Sequence, residues 1–470
     1  MLTLAIAWRN VLRNGRRTAI TLLTIALGGA ALLLLGALTN YIVLEFQTST
    51  VRRTGHLALF KTGYFQYGSG NPAAYGIADY KTVIDAVRHD PTISPRLLVA
   101  TPTQIVAGVA GNYRAGTSKT FFGQGIVPED RLKMRDWNQH RIAGLEITAP
   151  PLADPKGVAI GSGLARILQL CAPPRTGGQP GHCQAPAAAE ASTAIVPIDA
   201  DVADLMKLRE REAGNSGAAP APARPTVEML AATVGGAPNV VAAQVERVDM
   251  HGAKELDDNL VVMHLPLAQQ LVYGRGEPRA TAINLQLERT EDVPAMRNAL
   301  RDLVRSKGFD LEVRDFVELN SMYAQTQAFF SFLFGFIALV IVVIVVFTIM
   351  NTMGMSVMER VGEIGTARSL GVQRSGIRNL FVIEGALQGL MGATLGVLLA
   401  MTIVAAVNGS DISWSPPTSA GKVPFKLYLF GSLGLLGGVW VLLTAVAAVA
   451  SLIPAHRASR MQIVDALRHV

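Results

Sequence analysis

The segment Asn351–Gly371, NTMGMSVMERVGEIGTARSLG, sets Glu359, Arg360, Glu363 and Arg368 into an otherwise apolar run. At helical spacing Glu359 and Glu363 fall one turn apart on one face. Two uses fit such a helix: resting on a lipid surface, or docking into the groove of a partner. Docking is favoured, because an interfacial helix carries Lys and Arg without paired carboxylates, whereas alternating charges suit specific ion pairs. Gly362, Gly365 and Gly371 add the close backbone approach that docking needs.

Catalytic chemistry has little support elsewhere in the chain. The run Ile160–Ala165, IGSGLA, lacks the glycine-x-serine-x-glycine spacing of a nucleophile elbow. His251, His264 and the acidic cluster Glu255, Asp257 and Asp258 do not form a helical H-E-x-x-H arrangement, and a solvated acidic turn accounts for the cluster better than a metal site. No glycine-rich stretch reads G-x-x-x-x-G-K-[ST], so ATP hydrolysis through a P-loop is not expected of this chain. Cys171 and Cys183 flank a Pro/Gly-rich stretch, and a small disulfide loop and two free thiols both remain open. No catalytic residue and no metal site is assigned.

The elements that must position the charged segment are long apolar runs. Half of the residues are hydrophobic and 16% are charged, which points to the membrane class. Four runs exceed the ~20 apolar residues that cross a bilayer core: 18–44, 328–355, 381–410 and 427–455. The first has a basic flank like a signal peptide, yet it is too long for one and continues as a helix, so it is expected to remain as an anchor. Arginines cluster before the first run, between the second and third, and after the fourth, which places all three segments on the cytoplasmic side. A large domain, residues 45–327, and a short loop, 411–426, then lie outside. This topology accounts for most of the net charge of +7 and leaves no call for a nucleic-acid partner.

The fold expected is an α-helical membrane protein with four transmembrane helices and a large mixed α/β domain inserted between the first and second. Within that domain residues 56–60, 158–160, 240–248 and 282–287 read as strands, and 79–88, 162–170, 265–272 and 293–306 as helices. Residues 281–313 read as a βαβ unit. Residues 172–225, rich in Ala, Pro and Gly, read as a surface insertion. Helices running outward from Leu44 and inward from Leu311 would project past the hydrocarbon core as levers. In the membrane, Gly385, Gly389, Gly392 and Gly396 form overlapping G-x-x-x-G pairs and Gly434 with Gly438 forms another, marking close helix contacts within a protomer or across a dimer. Glu384 and Gln388 are assigned to packing, with Glu384 able to reach the interface.

The run N-T-M-x-M-x-V-x-E-R-x-x-E-I-G-x-x-R-x-L-G, followed by Phe381, Glu384 and a glycine-rich third span, closely resembles the signature of the FtsX-like permeases, the family of MacB, LolC/LolE and FtsX. Residues 7–18, AWRNVLRNGRRT, resemble the family's amphipathic N-terminal helix, assigned to residues 1–17. Residues 454–467, PAHRASRMQIVDAL, resemble its closing pattern within a C-terminal tail, 456–470. Looser likenesses fall at 55–57, 122–128 and 160–165, and the insertion at 172–225 departs from the family. The resemblance implies a bacterial inner-membrane permease with both termini cytoplasmic and the large domain periplasmic. It implies a dimer, of two copies or of two paralogues, in which each half pairs with a cytoplasmic ABC ATPase that holds the ATP and Mg; no cofactor is expected in this chain. Segment 356–380 becomes the coupling helix and loop, with Glu359, Arg360, Glu363, Ile364, Gly365, Arg368 and Gly371 as coupling residues. A periplasmic adaptor or carrier and membrane lipid complete the implied partners.

Three functions follow as expectations: release or movement of a lipoprotein or lipid-linked substrate by mechanotransmission; MacB-like efflux of periplasmic peptides or drugs in a tripartite pump; and FtsX-like activation of a cell-wall hydrolase without transport.

Overall fold

A computed structural model describes residues 2–13, 15–68, 70–142, 151–170, 224–249, 254–410, 412–414 and 423–461. Cys171, Cys183, His251, most of the 172–225 insertion and the last residues of the closing pattern lie outside them. In chain order the elements are α1 (Leu2–Arg13), α2 (Gly15–Thr54), β1 (Leu57–Lys61), α3 (Tyr80–His89), β2 (Leu97–Asn112), β3 (Thr117–Ile126), α4 (Pro128–Asp136), β4 (Gly157–Gly161), α5 (Ser162–Ile167), β5 (Thr226–Ala232) and β6 (Pro238–Asp249). They continue with α6 (Lys254–Asn259), β7 (Leu260–His264), α7 (Leu265–Tyr273), β8 (Ala282–Leu287), α8 (Val293–Lys307), β9 (Leu311–Asp315) and α9 (Phe316–Leu319). The second helical region is α10 (Ser321–Glu359), α11 (Val361–Ser369), α12 (Arg374–Gly409), a small hairpin of β10 (Ser413–Trp414) and β11 (Val423–Pro424), and α13 (Leu433–Ser459).

Helices α2, α10, α12 and α13 are long and apolar enough to cross a membrane, and they pack as a bundle around Ile25, Leu32, Leu33, Val345, Ala393, Leu443 and Ala447. The protein is an integral membrane protein. Helix α2 lies centrally, packed on α10, α12 and α13, whereas α10 packs on α2 and α13 and leaves Phe329, Phe332, Phe336 and Leu339 on the outer surface. Apolar side chains on that surface match a lipid solvent. At ~1.5 Å per residue, the 40 residues of α2 and the 39 of α10 each reach about 60 Å, twice the ~30 Å hydrocarbon core.

Both projecting helices end in a sheet domain. Strand β2 is long enough, at 16 residues, to serve two sheets. Its first half, Leu97–Thr103, pairs with β8 in a four-stranded layer ordered β2-β8-β1-β9. Its second half, Gln104–Asn112, pairs with β3 and β5, and closure through β7, β4 and β6 makes a six-stranded barrel. Each half has its own core. Leu59, Ile283, Leu285, Met296 and Leu300 pack the layer against α3 and α8, and Val158, Ile160, Leu164, Met229, Val261 and Leu271 fill the barrel. Strand β8 is buried on both faces: Ile283, Leu285 and Leu287 join the apolar core, while Asn284 and Gln286 donate to the Thr103 hydroxyl and the Met134 carbonyl. Helix α8 places Val293, Met296, Leu300, Leu303 and Val304 on one buried stripe and stops at Gly308, whose φ of 69° provides the left-handed cap.

Several sequence expectations change here. Residues 282–315 form strand, helix, strand, but β8 and β9 are not neighbours: β1 lies between them, antiparallel to both, because the strand leaving α2 inserts into the gap. The inward lever does not start at Leu311; β9 and the short α9 come first, and the long helix begins at Ser321, where the Asn320 side chain accepts a hydrogen bond from the Tyr323 amide. The fourth spanning helix begins at Leu433, since residues 427–432 instead close the end of the bundle, with the Tyr428 amide donating to the Ala37 carbonyl and Leu427 and Leu429 buried. The acidic cluster is not a solvated turn. Asp257 is buried and accepts from the Ser162 hydroxyl and the Ser162 and Gly163 amides, holding the N-terminus of α5.

Candidate coupling site

The charged segment folds as the end of α10 and the separate helix α11, joined by Arg360 alone. Its φ of −108° and ψ of 17° take Arg360 out of the helix, so Glu359 and Glu363 belong to different helices rather than to one face. The break follows from Arg360's burial. Arg360 is 4% exposed, and its Nη1 stands 3.3 Å from Oε2 of Glu384, itself 3% exposed and on α12. Glu384 therefore does not reach the interface. A buried arginine is tolerable only with such a partner, and satisfying it turns the backbone.

The two carboxylates of the segment are also engaged within the protomer. Glu363 receives Arg13 of α1 at 2.6 Å and lies 3.5 Å from Nε of Arg360, while Glu359 receives Arg17 of α2 at 2.5 Å. These two pairs are about half exposed, so each contributes less than about 1 kcal/mol. Helix α1 lies against α12 with Ala7 and Val11 buried, and the Thr18 hydroxyl donates to the Val11 carbonyl at the corner between α1 and α2. Val357, Ile364, Ile377, Phe381, Ala455 and Ala458 form a core beneath α11, drawn from α10, α11, α12 and α13. Ile364 and Gly365 are thus buried structural contacts, and Gly371 ends the segment at φ 93°. The large apolar side chains that α11 and its turn leave exposed are Leu370, Val372 and, at the end of α10, Met358.

The two glycine sets part company. A Cβ added at Gly385 or Gly389 would stand 2.5 Å from Cβ of Ser451 or 2.4 Å from Cβ of Ala447 on α13. At Gly392 and Gly396 it would stand 2.7 Å from Cβ of Ile25 and 2.8 Å from the carbonyl oxygen of Ala26 on α2. Helix α12 therefore touches α13 with one half of the seam and α2 with the other. Gly434 and Gly438 meet nothing within 4 Å among the described residues, so their spacing marks no contact inside the protomer. Gln388 is buried one turn above Glu384.

At its far end α2 enters the sheet through Gly55 and His56. Gly55 has φ 78°, and a Cβ there would lie 2.6 Å from the carbonyl oxygen of Leu285. His56 is fully buried: its amide donates to the Leu285 carbonyl, its carbonyl accepts from the Phe316 amide, and its Nδ1 accepts from the Leu287 amide at 3.0 Å. Nδ1 is therefore unprotonated, and Nε2–H donates to the Thr290 hydroxyl at 3.1 Å, which also accepts from Gln47 of α2 at 2.9 Å. Burial pushes the His56 pKa down to about 3, with Glu291 opposing. Arg52 and Arg131 donate to the carbonyls of Arg135 and Arg53, lacing α2 to α4. The second lever joins nearby, with Asn320 donating to the Thr50 hydroxyl at 3.1 Å and Tyr323 edge-on to Phe46. Sequence reading offered His56 as the start of a strand at 56–60 and within a loose likeness at 55–57, and it gave Arg13 and Arg17 as topology signals; no local pattern reveals partners 350 residues apart, such as Arg13 and Glu363.

Residues 335–463 match the FtsX-like permease C-terminal family. The chain is 27% identical over 218 residues to the macrolide export ATP-binding/permease protein MacB of Chlorobium luteolum, covering 45% of this chain and 30% of that protein. It is 26% identical over 227 residues to the lipoprotein-releasing system transmembrane protein LolC of Neisseria meningitidis, covering 46% of this chain and 53% of that protein. With the lipoprotein-releasing system transmembrane protein LolE of Haemophilus influenzae the identity is 28% over 207 residues, covering 42% and 49%. The chain thus spans between about a third and about half of the length of these relatives. It carries an FtsX-like permease C-terminal domain over residues 335–463 and is similar along its matched part to ABC permeases of the MacB and LolC type.

Proposed function

We propose that this chain is the membrane subunit of an ABC transporter that carries the movement of a cytoplasmic ATPase to a domain on the far side of the membrane. The observation that supports it best is the pair of uninterrupted helices, α2 and α10, that run from beside α11 to adjacent strands, β1 and β9, of the sheet domain. Helices of this length act as stiff rods across a bilayer. In this reading α11 and its turn meet the ATPase, the sheet domain is periplasmic, both termini are cytoplasmic, and the membrane is the bacterial inner membrane. ATP and Mg belong in this reading to the ATPase, and residues 1–470 carry no G-x-x-x-x-G-K-[ST] motif.

For the work done, we favour release or movement of a lipoprotein or lipid-linked substrate. Two of the relatives, LolC and LolE, are named for lipoprotein release. A dimer, and an adaptor or carrier on the periplasmic side, belong to the same reading.

The test is charge reversal at the contact surface. Glu359→Lys with Glu363→Lys, in the chain assembled with its ATPase, is expected to leave membrane insertion and ATP hydrolysis in place while abolishing ATP-dependent movement of the sheet domain. Unchanged movement would remove α11 from the coupling role.

A further inference from the structure

A force applied to α11 has two ways into the bundle: back along the chain into α10, or sideways into α12. The geometry favours the second. Arg360, the single residue joining α10 to α11 along the chain, is non-helical, so the backbone at this point transmits bending poorly, while its side chain is fixed to Glu384 near the start of α12. Ile364 reinforces that connection through Ile377 and Phe381. From α12 the next contact is close: the Gly396 backbone lies on the Ala26 carbonyl and Gly392 against the Ile25 side chain, both on α2. Such a close glycine seam leaves little slack. Helix α2 then runs unbroken to Thr54 and, through Gly55 and His56, into β1. Helix α10 packs chiefly on α2 and α13 and exposes most of its length.

We propose that the buried Arg360–Glu384 pair is the positioning element through which a push on α11 enters α12 and passes to α2. The proposal rests on the permease reading above and assigns that reading its route. Neither residue touches ATP or substrate. The two act by fixing the angle of α11 against α12, and the exposed partners Arg13 and Glu363 sit at the outer edge of the same network. An exposed ion pair would yield to solvent under load; a pair 4% and 3% exposed has no water to replace its partner.

The experiment uses the full chain with its co-purified ATPase in lipid nanodiscs, and reads the ATP-dependent change in hydrogen exchange over residues 45–61. Arg360→Met and Glu384→Gln are each expected to keep the ATPase bound and hydrolysing while losing that change. Exchanging the charges, Arg360→Glu with Glu384→Arg, is expected to restore it. Glu384→Gln keeps the shape of the site and decides the matter if Arg360→Met fails to insert. A full exchange change in the single variants overturns the proposal and leaves the permease reading standing. Loss that the exchanged pair does not restore overturns it too, since the pair would then be structural only. If the unaltered chain brings down no ATPase, the permease reading itself falls.

Discussion

The two ends of α2 are held in opposite ways. At the α11 end, the ties from Arg13 and Arg17 to Glu363 and Glu359 are half-exposed ion pairs between flexible side chains. At the sheet end the ties are buried and involve the backbone itself: the Gly55 turn, both main-chain groups of His56, and the imidazole on Leu287 and Thr290. Exposed pairs exchange partners readily because water and salt compete for them. Buried backbone bonds do not, since an orphaned amide carries its full desolvation penalty. One end is therefore suited to meeting and leaving a partner, and the other to passing on whatever displacement arrives.

The strongest way to break that contrast is at Gly55. Gly55→Ala must adopt φ 78° with its Cβ against the Leu285 carbonyl, and a loss of more than about 3 kcal/mol of sheet-domain stability is expected, read as early unfolding in a thermal melt of the purified protein. A melt unchanged within error would show that the joint is soft.

Acid supplies a milder perturbation of the same joint. His56 stays neutral in the folded protein to about pH 3, whereas in the unfolded chain it protonates near its ordinary value of 6.5. Below 6.5 the unfolded state binds the extra proton, so the His56 contribution is complete above that value and is lost as pH falls toward 3, at about 1.4 kcal/mol per pH unit. Comparing denaturation of the unaltered chain and of His56→Gln at pH 7 and pH 5 isolates this component: the variant should show the shallower pH slope, and equal slopes would refute the buried neutral imidazole.

The smallest effect belongs to the other end. The Glu359 and Glu363 reversals that are expected to abolish coupling should change stability by less than about 1 kcal/mol per pair, because both pairs face solvent. A large destabilisation would mean that these carboxylates hold the bundle together.

Legibility in the sequence followed the range of the interactions. The spans announce themselves by composition, β8 by the alternation of Ile283, Leu285 and Leu287, and α8 by its apolar stripe, because those signals are local. Strands β3 and β5 carried no such signal: their alternation of small, polar and exposed residues, as in Thr226–Ala232, is weak until the barrel closes around it. The insertion of β1 between β8 and β9 depends on a pairing across more than 220 residues, which no spacing rule reports. At the candidate site, residue types gave Glu359, Arg360, Glu363 and Glu384, but not that Arg360 would be buried and break the helix, since that depends on where α12 lies. The glycines show the same limit. Identical four-residue spacing at 385–389 and 434–438 marks a tight seam in one case and an open face in the other.

The central claim is that this chain takes its motion from an ATPase. The most direct measurement is purification of the tagged chain in mild detergent, with mass spectrometry of what accompanies it. The account predicts a stoichiometric P-loop ATPase that leaves when Glu359, Glu363 and the exposed Leu370 turn are altered together. Purification of the chain without any ATPase, across several detergents, would contradict it.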